Sequence, residues 1–86
     1  MGNITFSEQA FAEYVEWQNQ DRKTLKRINA LLKGIIRSPF DGIGKPEALK
    51  GNYSGCWSRR IDEQNRLVYR VIDEVIEVIQ CKGHYE

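Results

Sequence analysis

A single carboxylate stands among cations in residues 44–50, which read Gly-Lys-Pro-Glu-Ala-Leu-Lys. Glu47 is flanked there by Lys45 and Lys50, and the neighbouring Gly and Pro residues favour a loop over a helix or strand. Two β-type runs follow, and Arg59, Arg60 and Arg66 lie on them near the turn that joins them. A hairpin of these runs would gather the guanidinium groups near the loop, so we expect a pocket that binds a phosphate chain.

The only histidine of the chain, His84, stands beside Tyr85 near the end of the sequence. If the last strand pairs with the one before it, His84 comes to the same end of the sheet as Glu47 and Arg66. Glu, Arg and His are the groups that cleave a phosphodiester through a ribose 2′-OH. One removes the 2′ proton, one protonates the leaving 5′ oxygen, and a fixed cation stabilises the charge at phosphorus. This chemistry needs no metal, and no metal-ligand spacing is present, so we expect no cofactor.

Positive charge is concentrated in the middle of this 86-residue chain, although the formal net charge is only +1. Residues 1–19 have three acids and no Lys or Arg, which gives −3. Residues 20–70 have twelve Lys or Arg against five acids, which gives +7, and residues 71–86 have four acids against one Lys, which gives −3. A basic middle of this kind is typical of a protein that binds a polyanion.

Length and cysteine content limit the class of protein. Eighty-six residues allow one domain, residues 1–86, whose site would be a shallow groove rather than a deep cavity. Cys56 and Cys81 fit neither a metal site nor a disulfide framework, so we interpret them as free thiols in a reducing compartment. There is no signal sequence and no long apolar run, so the sequence predicts a cytoplasmic protein without membrane contact.

The elements that position these residues can be predicted along the chain. Residues 3–6 are β-branched and aromatic and predict a strand. An N-cap at Ser7 predicts a helix over 8–19, and an N-cap at Asp21 predicts a second helix that ends near Arg37. Helical spacing indicates the apolar face of each helix. For the first helix these residues are Phe11, Tyr14, Val15 and Gln18, and for the second Leu25, Ile28, Leu32 and Ile35.

A long loop over residues 39–54 leads into three β-type runs at 56–61, 66–72 and 75–82, which predict an antiparallel meander. In the middle run Leu67, Tyr69 and Val71 would face the helices, while Arg66 and Arg70 would face outward. The predicted class is α+β, in the order β-α-α-β-β-β, with the two N-terminal helices on one face of a twisted antiparallel sheet.

Four segments, in the same order, resemble the YoeB/Txe branch of the RelE/ParE superfamily of bacterial type II toxins. They lie at residues 44–50, 55–61, 65–69 and 84–85. The sequence Tyr-Val-Glu-Trp-Gln at 14–18 and the helix exit Arg-Ser-Pro-Phe at 37–40 match as well. The resemblance therefore extends over essentially the whole chain.

The resemblance implies a RelE-like, microbial-ribonuclease-type fold and an endonuclease that cleaves mRNA in the ribosomal A site. By residue, it implies that Glu47 is the general base, His84 the general acid and Arg66 the cation that stabilises the phosphate. Tyr85 would help to position the RNA. The resemblance implies that Lys50 and Arg59 are supporting cations, and from the basic residues themselves we also expect Lys45 and Arg60 to contact RNA phosphates.

The implied partners are the 70S ribosome with its mRNA and a cognate antitoxin similar to YefM or Axe. The antitoxin would cover the toxin as an acidic, partly disordered segment that folds on binding. A homodimer is a further implied assembly, and operator DNA would be contacted only through the antitoxin complex.

One departure concerns the end of the chain. Members of this branch commonly finish at the His-Tyr pair, whereas Glu86 follows Tyr85 here. The extra residue adds a charge beside the site and moves the terminal carboxylate outward, so we assign no role to the α-carboxylate of Tyr85.

Other interpretations remain open from the residues alone. Glu47 is also explained as a loop ion-pair partner of Lys45 or Lys50, and Arg59 and Arg60 as a solvated strand edge. His84 is also explained as part of an unstructured tail. At the level of function, the alternatives are a non-catalytic basic module that binds nucleic acid and a toxin of the same fold that acts on another target, such as gyrase.

Overall fold

The computed structural model describes residues 2–85, in which two helices pack on one face of a five-stranded sheet. The helices are α1 (Glu8–Gln20) and α2 (Arg22–Arg37). The strands are β1 (Asn3–Phe6), β2 (Glu47–Ala48), β3 (Trp57–Arg60), β4 (Arg66–Ile72) and β5 (Val75–Gln80). The predicted α+β class and the predicted helices and longer strands are confirmed, but the predicted order lacks β2, which lies in the predicted loop at 39–54. The expectation about Glu86 lies outside the described residues.

The sheet has the order β1-β5-β4-β3-β2 and is mixed. The neighbours β2 to β5 pair antiparallel, as the meander predicts, but β1 runs parallel to β5 at the far edge. The prediction of an antiparallel sheet is therefore wrong at this edge. A parallel pair needs a long crossover connection, and here the helical hairpin and strands β2 to β4 separate β1 from β5.

Both helices begin at the predicted N-caps. The Ser7 hydroxyl accepts the Ala10 N–H at 3.0 Å, and the Asp21 carboxylate accepts the N–H groups of Lys23 and Thr24 at 3.1 and 3.2 Å. Hydrogen bonds from the Thr24 side chain and backbone lower the pKa of Asp21 below its ordinary value. Within the described part of the chain, no helix has the length and apolar character to cross a membrane.

The buried face of α1 differs from the predicted one. Phe11 is 59% exposed and Val15 is 38% exposed, whereas Ala10 and Trp17 are buried. The reason is that α1 packs against the residue that follows β5, where the Trp17 indole N–H donates to the Cys81 carbonyl at 2.8 Å. Helical periodicity indicated an amphipathic helix, but this contact from the far end of the chain fixes its rotation.

The core lies between the helices and one face of the sheet. In β4, Leu67 and Tyr69 are fully buried and Val71 packs against the same cluster, as predicted from strand alternation. In α2, Ile28 and Ile35 of the predicted stripe are fully buried and Leu32 is buried, whereas Leu25 is partly buried. Within residues 2–85 both α-helices pack on this one face, which leaves the opposite face of the sheet available for a site.

Candidate active site

The candidate site lies on the sheet face turned away from the helices, where three strands bring charged side chains together. Glu47 of β2 pairs with Ser58 of β3, and Ser58 pairs with Val68 of β4. Arg60 and Arg66 pair with each other across the same two strands. Because paired residues share a face, and alternate residues of one strand do too, the carboxylate and both arginines project from this open face.

The loop before β2 holds Glu47 in place. It depends on Gly44, which any other residue would replace only with strain. Gly44 has a φ of +85°, and a Cβ there would lie 2.7 Å from the Leu31 Cδ2. Its carbonyl accepts the Arg60 N–H at 2.7 Å, which ties the loop to β3. Lys45 also has a positive φ, +51°, a conformation that costs a residue with a side chain ~1–2 kcal/mol. The loop therefore positions Glu47 at the start of β2 in a fixed geometry.

A cavity of about 310 Å³ opens between this loop and strands β3 and β4. It is lined by Lys45, Pro46, Glu47, Ser58, Arg60 and Arg66. We call it the phosphate pocket because it combines three cations with one carboxylate that can accept a proton. Among residues 2–85 no Lys or Arg lies within salt-bridge distance of Glu47. The alternative that Glu47 is an ion-pair partner of Lys45 or Lys50 is therefore not supported there.

Arg66 is oriented by the hairpin loop between β3 and β4. Its Nη1 donates to the Asp62 carbonyl and, at 3.1 Å, to the Asn65 carbonyl. Partial burial acts to raise the pKa of Asp62, but hydrogen bonds from Asn65 and Gln64 outweigh it and lower that pKa. The ionised carboxylate accepts the Gln64 and Asn65 N–H groups at 2.8 and 2.7 Å. This loop therefore fixes one edge of the guanidinium group against the backbone.

The C-terminal tail is attached to the same hairpin loop. The Arg66 N–H donates to the Gly83 carbonyl at 2.9 Å, and the Gly83 N–H donates to the Asn65 Oδ1 at 2.7 Å. On the other side of the tail, the Cys81 N–H donates to the Glu13 carboxylate at 2.8 Å. The segment that carries the histidine is thus held beside Arg66 by contacts from both directions.

The tail then reaches Glu47. The Tyr85 hydroxyl donates to the Glu47 Oε1 at 3.4 Å, so these two predicted site residues are in contact. The His84 ring stacks on the Tyr85 ring with centroids 4.9 Å apart, and its Nδ1 lies 3.0 Å from the Tyr85 carbonyl oxygen. His84 is exposed and does not line the phosphate pocket. The tail through Tyr85 is therefore not unstructured, and it holds the imidazole against the Tyr85 ring.

Arg59 does not belong to this surface, and the prediction that it contacts RNA is wrong. Its side chain is fully buried on the helix-facing side, because it alternates with Arg60 along β3. Its nitrogens donate to four oxygens: Tyr69 Oη, Ile43 O, Ser38 O and Asp41 O. Burial raises the pKa of Tyr69, and the charge and hydrogen bond of Arg59 oppose that rise. Arg59 therefore fastens the loop after α2 to the core.

Lys50 belongs to a second cavity, of about 420 Å³, next to the first. It is lined by Glu47, Ala48, Leu49, Lys50, Tyr53 and Tyr85. The Tyr53 ring meets the Tyr85 ring edge-on with centroids 5.9 Å apart. We call this cavity the tyrosine pocket, and Glu47 borders both it and the phosphate pocket.

Sequence reasoning missed four residues of the site: Ser58, Asp62, Asn65 and Tyr53. Strand alternation could have identified Ser58, which is two residues before Arg60. The Asp-x-x-Asn spacing is typical of a side-chain-capped turn and could have identified the loop. Tyr53 gave no local signal, because its role depends on Tyr85 reaching it from the end of the chain. Among residues 2–85 no cluster of three or more His, Cys, Asp or Glu side chains could hold a metal ion.

The fold and the site together define the chain as a small α+β domain with a basic, carboxylate-containing groove on the open face of a mixed sheet. Residues 6–85 match the family described as YoeB-like toxin of bacterial type II toxin-antitoxin system. The Toxin YoeB of Synechocystis sp. is 53% identical over 83 residues, which cover 96% of both chains. The chain therefore belongs to the YoeB-like toxin family.

Solved structures agree with this assignment. The YoeB/ParE toxin from Agrobacterium tumefaciens superposes with a TM-score of 0.95 at 42% identity, covering 98% of this chain and 100% of that one. YoeB from Staphylococcus aureus, in a heterotetrameric complex with YefM, gives 0.90 at 52% identity with 99% of each chain covered. A YoeB dimer from the same species gives 0.89 at 54% identity, covering 96% of this chain and 97% of that one.

Proposed function

We propose that the protein is a ribosome-dependent mRNA endonuclease, an mRNA interferase that cleaves mRNA in the ribosomal A site and so inhibits translation. The observation that carries this proposal is the phosphate pocket, in which Glu47 lies among Lys45, Arg60 and Arg66 without an ion-pair partner among the described residues. A carboxylate used only for stability would be expected to pair with one of these cations.

The proposed step is a transesterification without a metal ion. Glu47 takes the proton from a ribose 2′-OH, and the 2′ oxygen attacks the adjacent phosphorus. The bond from phosphorus to the 5′ oxygen breaks as His84 gives that oxygen a proton, which leaves a 2′,3′-cyclic phosphate and a 5′-OH. Arg66 stabilises the charge at phosphorus, and Tyr85 positions the RNA beside Glu47. Lys45, Lys50 and Arg60 bind the flanking backbone.

Dependence on the ribosome follows from the shape of this site. Both pockets are open and shallow, and His84 is exposed and lines neither of them, so the protein alone has few surfaces that fix the orientation of a flexible RNA. The ribosomal A site would hold the codon in an orientation suited to in-line attack and so supply the missing positioning. This target places the proposed site of action in the cytoplasm.

The proposed partner is a cognate antitoxin similar to YefM. The S. aureus YoeB, 52% identical to this chain, forms a heterotetrameric complex with YefM. The basic groove would attract an acidic segment of such a partner, which would cover the His84-Tyr85 tail. By the same relationship to the S. aureus YoeB dimer, we propose that two copies of this chain also associate. Operator DNA would be bound through the antitoxin complex alone.

The test is to incubate the purified protein with translating ribosomes and to map the ends of the mRNA. New ends within A-site codons, with 2′,3′-cyclic phosphate termini, support the proposal. Ribosome binding without new ends would instead identify a non-catalytic nucleic-acid-binding module. Intact mRNA together with inhibition of another target, such as gyrase, would identify a toxin of the same fold with a different function.

A further inference from the structure

The tyrosine pocket is not explained by the acid–base chemistry. It shares Glu47 with the phosphate pocket, but its lining contains one cation, Lys50, where the phosphate pocket has three. The remaining lining includes two aromatic rings and the buried side chain of Leu49. Such a surface suits a flat, uncharged group better than a phosphate.

We propose that the tyrosine pocket is a subsite that stacks one nucleobase of the RNA on Tyr53. This inference rests on the proposed endonuclease function. In a nucleotide, the ribose that carries the 2′-OH lies between its own base and its 3′ phosphate. Glu47, which takes the 2′ proton, likewise lies between the tyrosine pocket and the phosphate pocket. The base in the subsite therefore belongs to the nucleotide on the 5′ side of the cleaved bond.

Tyr53 is built as a fixed platform rather than a mobile surface residue. It ends a short 3₁₀ turn, Gly51–Tyr53, and its N–H donates to the Lys50 carbonyl at 3.2 Å. Its own carbonyl accepts the Cys56 N–H at 2.9 Å, which ties the turn to the start of β3. Its ring is in edge-to-face contact with the Tyr85 ring, with centroids 5.9 Å apart. A stacking partner that is fixed in advance loses little conformational freedom when the base arrives.

The size of the effect can be anticipated from other stacking surfaces. Removal of an aromatic platform costs a single-stranded nucleic-acid complex on the order of 10-fold in affinity for each base. We expect Tyr53→Ala to weaken productive binding by about this factor. Tyr53→Phe keeps the ring and is expected to recover most of the loss, because stacking does not require the hydroxyl group.

The test is single-turnover cleavage of mRNA on preformed ribosome complexes with two kinds of substrate. One mRNA is unmodified, and the other carries an abasic nucleotide on the 5′ side of the cleaved bond. An abasic nucleotide on the 3′ side serves as the matched substrate control. Wild type, Tyr53→Ala and Tyr53→Phe are compared, with Asn52→Ala, an exposed neighbour that lines neither pocket, as the protein control.

The proposal predicts that Tyr53→Ala and the 5′ abasic nucleotide cause the same loss and that combining them causes little more. Equal losses for Tyr53→Ala on every substrate would overturn it and would show that Tyr53 only supports Tyr85. Wild-type rates for Tyr53→Ala on the unmodified mRNA would overturn it as well. Thermal unfolding of each variant shows whether the turn remains folded, and Tyr53→Leu replaces Tyr53→Ala if it does not. If the wild type itself cleaves nothing, the proposed function fails, which is a distinguishable result.

Discussion

Arg59 and Arg60 are neighbours in β3, and they have opposite environments. Arg59 is fully buried beneath the helices and donates hydrogen bonds to Tyr69 and to three backbone carbonyls of the loop after α2. Arg60 is exposed on the other face and lines the phosphate pocket with Arg66. Because successive side chains of a strand point to opposite faces, Arg59 contributes to stability and Arg60 to the candidate site.

The difference teaches that charge alone does not define the binding surface of this domain. Both faces of the sheet carry arginine, but only the open face combines arginine with an unpaired carboxylate, Glu47, among the described residues. The nitrogens of the helix-facing Arg59 donate hydrogen bonds to oxygens of the core and of the loop at 38–43. Breaking these hydrogen bonds would loosen that loop. Mutation of the helix-facing arginine should therefore change the free energy of unfolding, whereas mutation on the open face should change the cleavage rate.

The largest expected effect comes from Arg59→Met, which keeps much of the buried volume and removes the donors. Three backbone carbonyls would lose the Arg59 donor, and the Tyr69 hydroxyl would keep only its hydrogen bond to the Pro39 carbonyl. We expect the free energy of unfolding to fall by roughly 3–5 kcal/mol. Urea unfolding measures this change. Arg60→Met, the same substitution on the open face, should change stability by less than about 0.5 kcal/mol, and equal losses for the two would contradict the comparison.

Arg66→Lys tests the open face with its charge retained. A lysine cannot make two parallel hydrogen bonds to a phosphate while it also contacts the hairpin-loop carbonyls, so transition-state stabilisation is lost. We expect cleavage to fall on the order of 10²-fold, with ribosome binding kept and the unfolding midpoint nearly unchanged. A near-normal cleavage rate would show that Arg66 supplies only general positive charge.

A smaller effect is expected from Asn65→Ala, which acts through the position of the tail. The variant removes the acceptor for the Gly83 N–H and so loosens the segment that carries His84. We expect cleavage to slow on the order of 10-fold through the maximal rate rather than through ribosome affinity. Asn19→Ala, on an exposed residue at the end of α1, is the matched control. A loss confined to ribosome affinity would mean that Asn65 contacts RNA and does not position the tail.

The smallest expected effect is a pH dependence of stability from Asp62. Its pKa is lower in the folded state, so the carboxylate stabilises the fold at pH values above its unfolded pKa, about 3.9. That contribution is lost as the pH falls through the folded pKa. Asp62→Asn should therefore be slightly less stable than wild type at about pH 7, and the difference should disappear as the pH falls through the folded pKa of Asp62. Urea midpoints measured from neutral pH down into the acid range test this, and a difference that does not change with pH would contradict the assignment.

Much of the fold could be predicted because local signals agreed with the final packing. The caps at Ser7 and Asp21 and the alternation in β4 depend on nearby residues, and the structure confirms them. The rotation of α1 and the parallel pairing of β1 could not be predicted in this way. Both depend on where the chain returns near Cys81, more than sixty residues after α1 begins.

The candidate site was predicted less evenly. Lys45, Glu47, Arg60 and Arg66 do line one pocket, because they lie on a loop and three strands that are close in sequence. Arg59 was assigned to the wrong face because its charge was counted without applying strand alternation to β3. Tyr53 escaped notice because the tail that gives it a partner joins it only in the folded protein.

The central claim is that the open face performs proton transfer and does not merely bind phosphate. Glu47→Gln tests it most directly, because the amide keeps the shape of the side chain and cannot accept the 2′ proton. The measurement is the single-turnover cleavage rate on preformed ribosome complexes, with urea unfolding and ribosome affinity recorded in parallel. We predict a rate lower by on the order of 10²-fold or more, with stability and affinity nearly unchanged. A near-normal rate for Glu47→Gln would contradict the account.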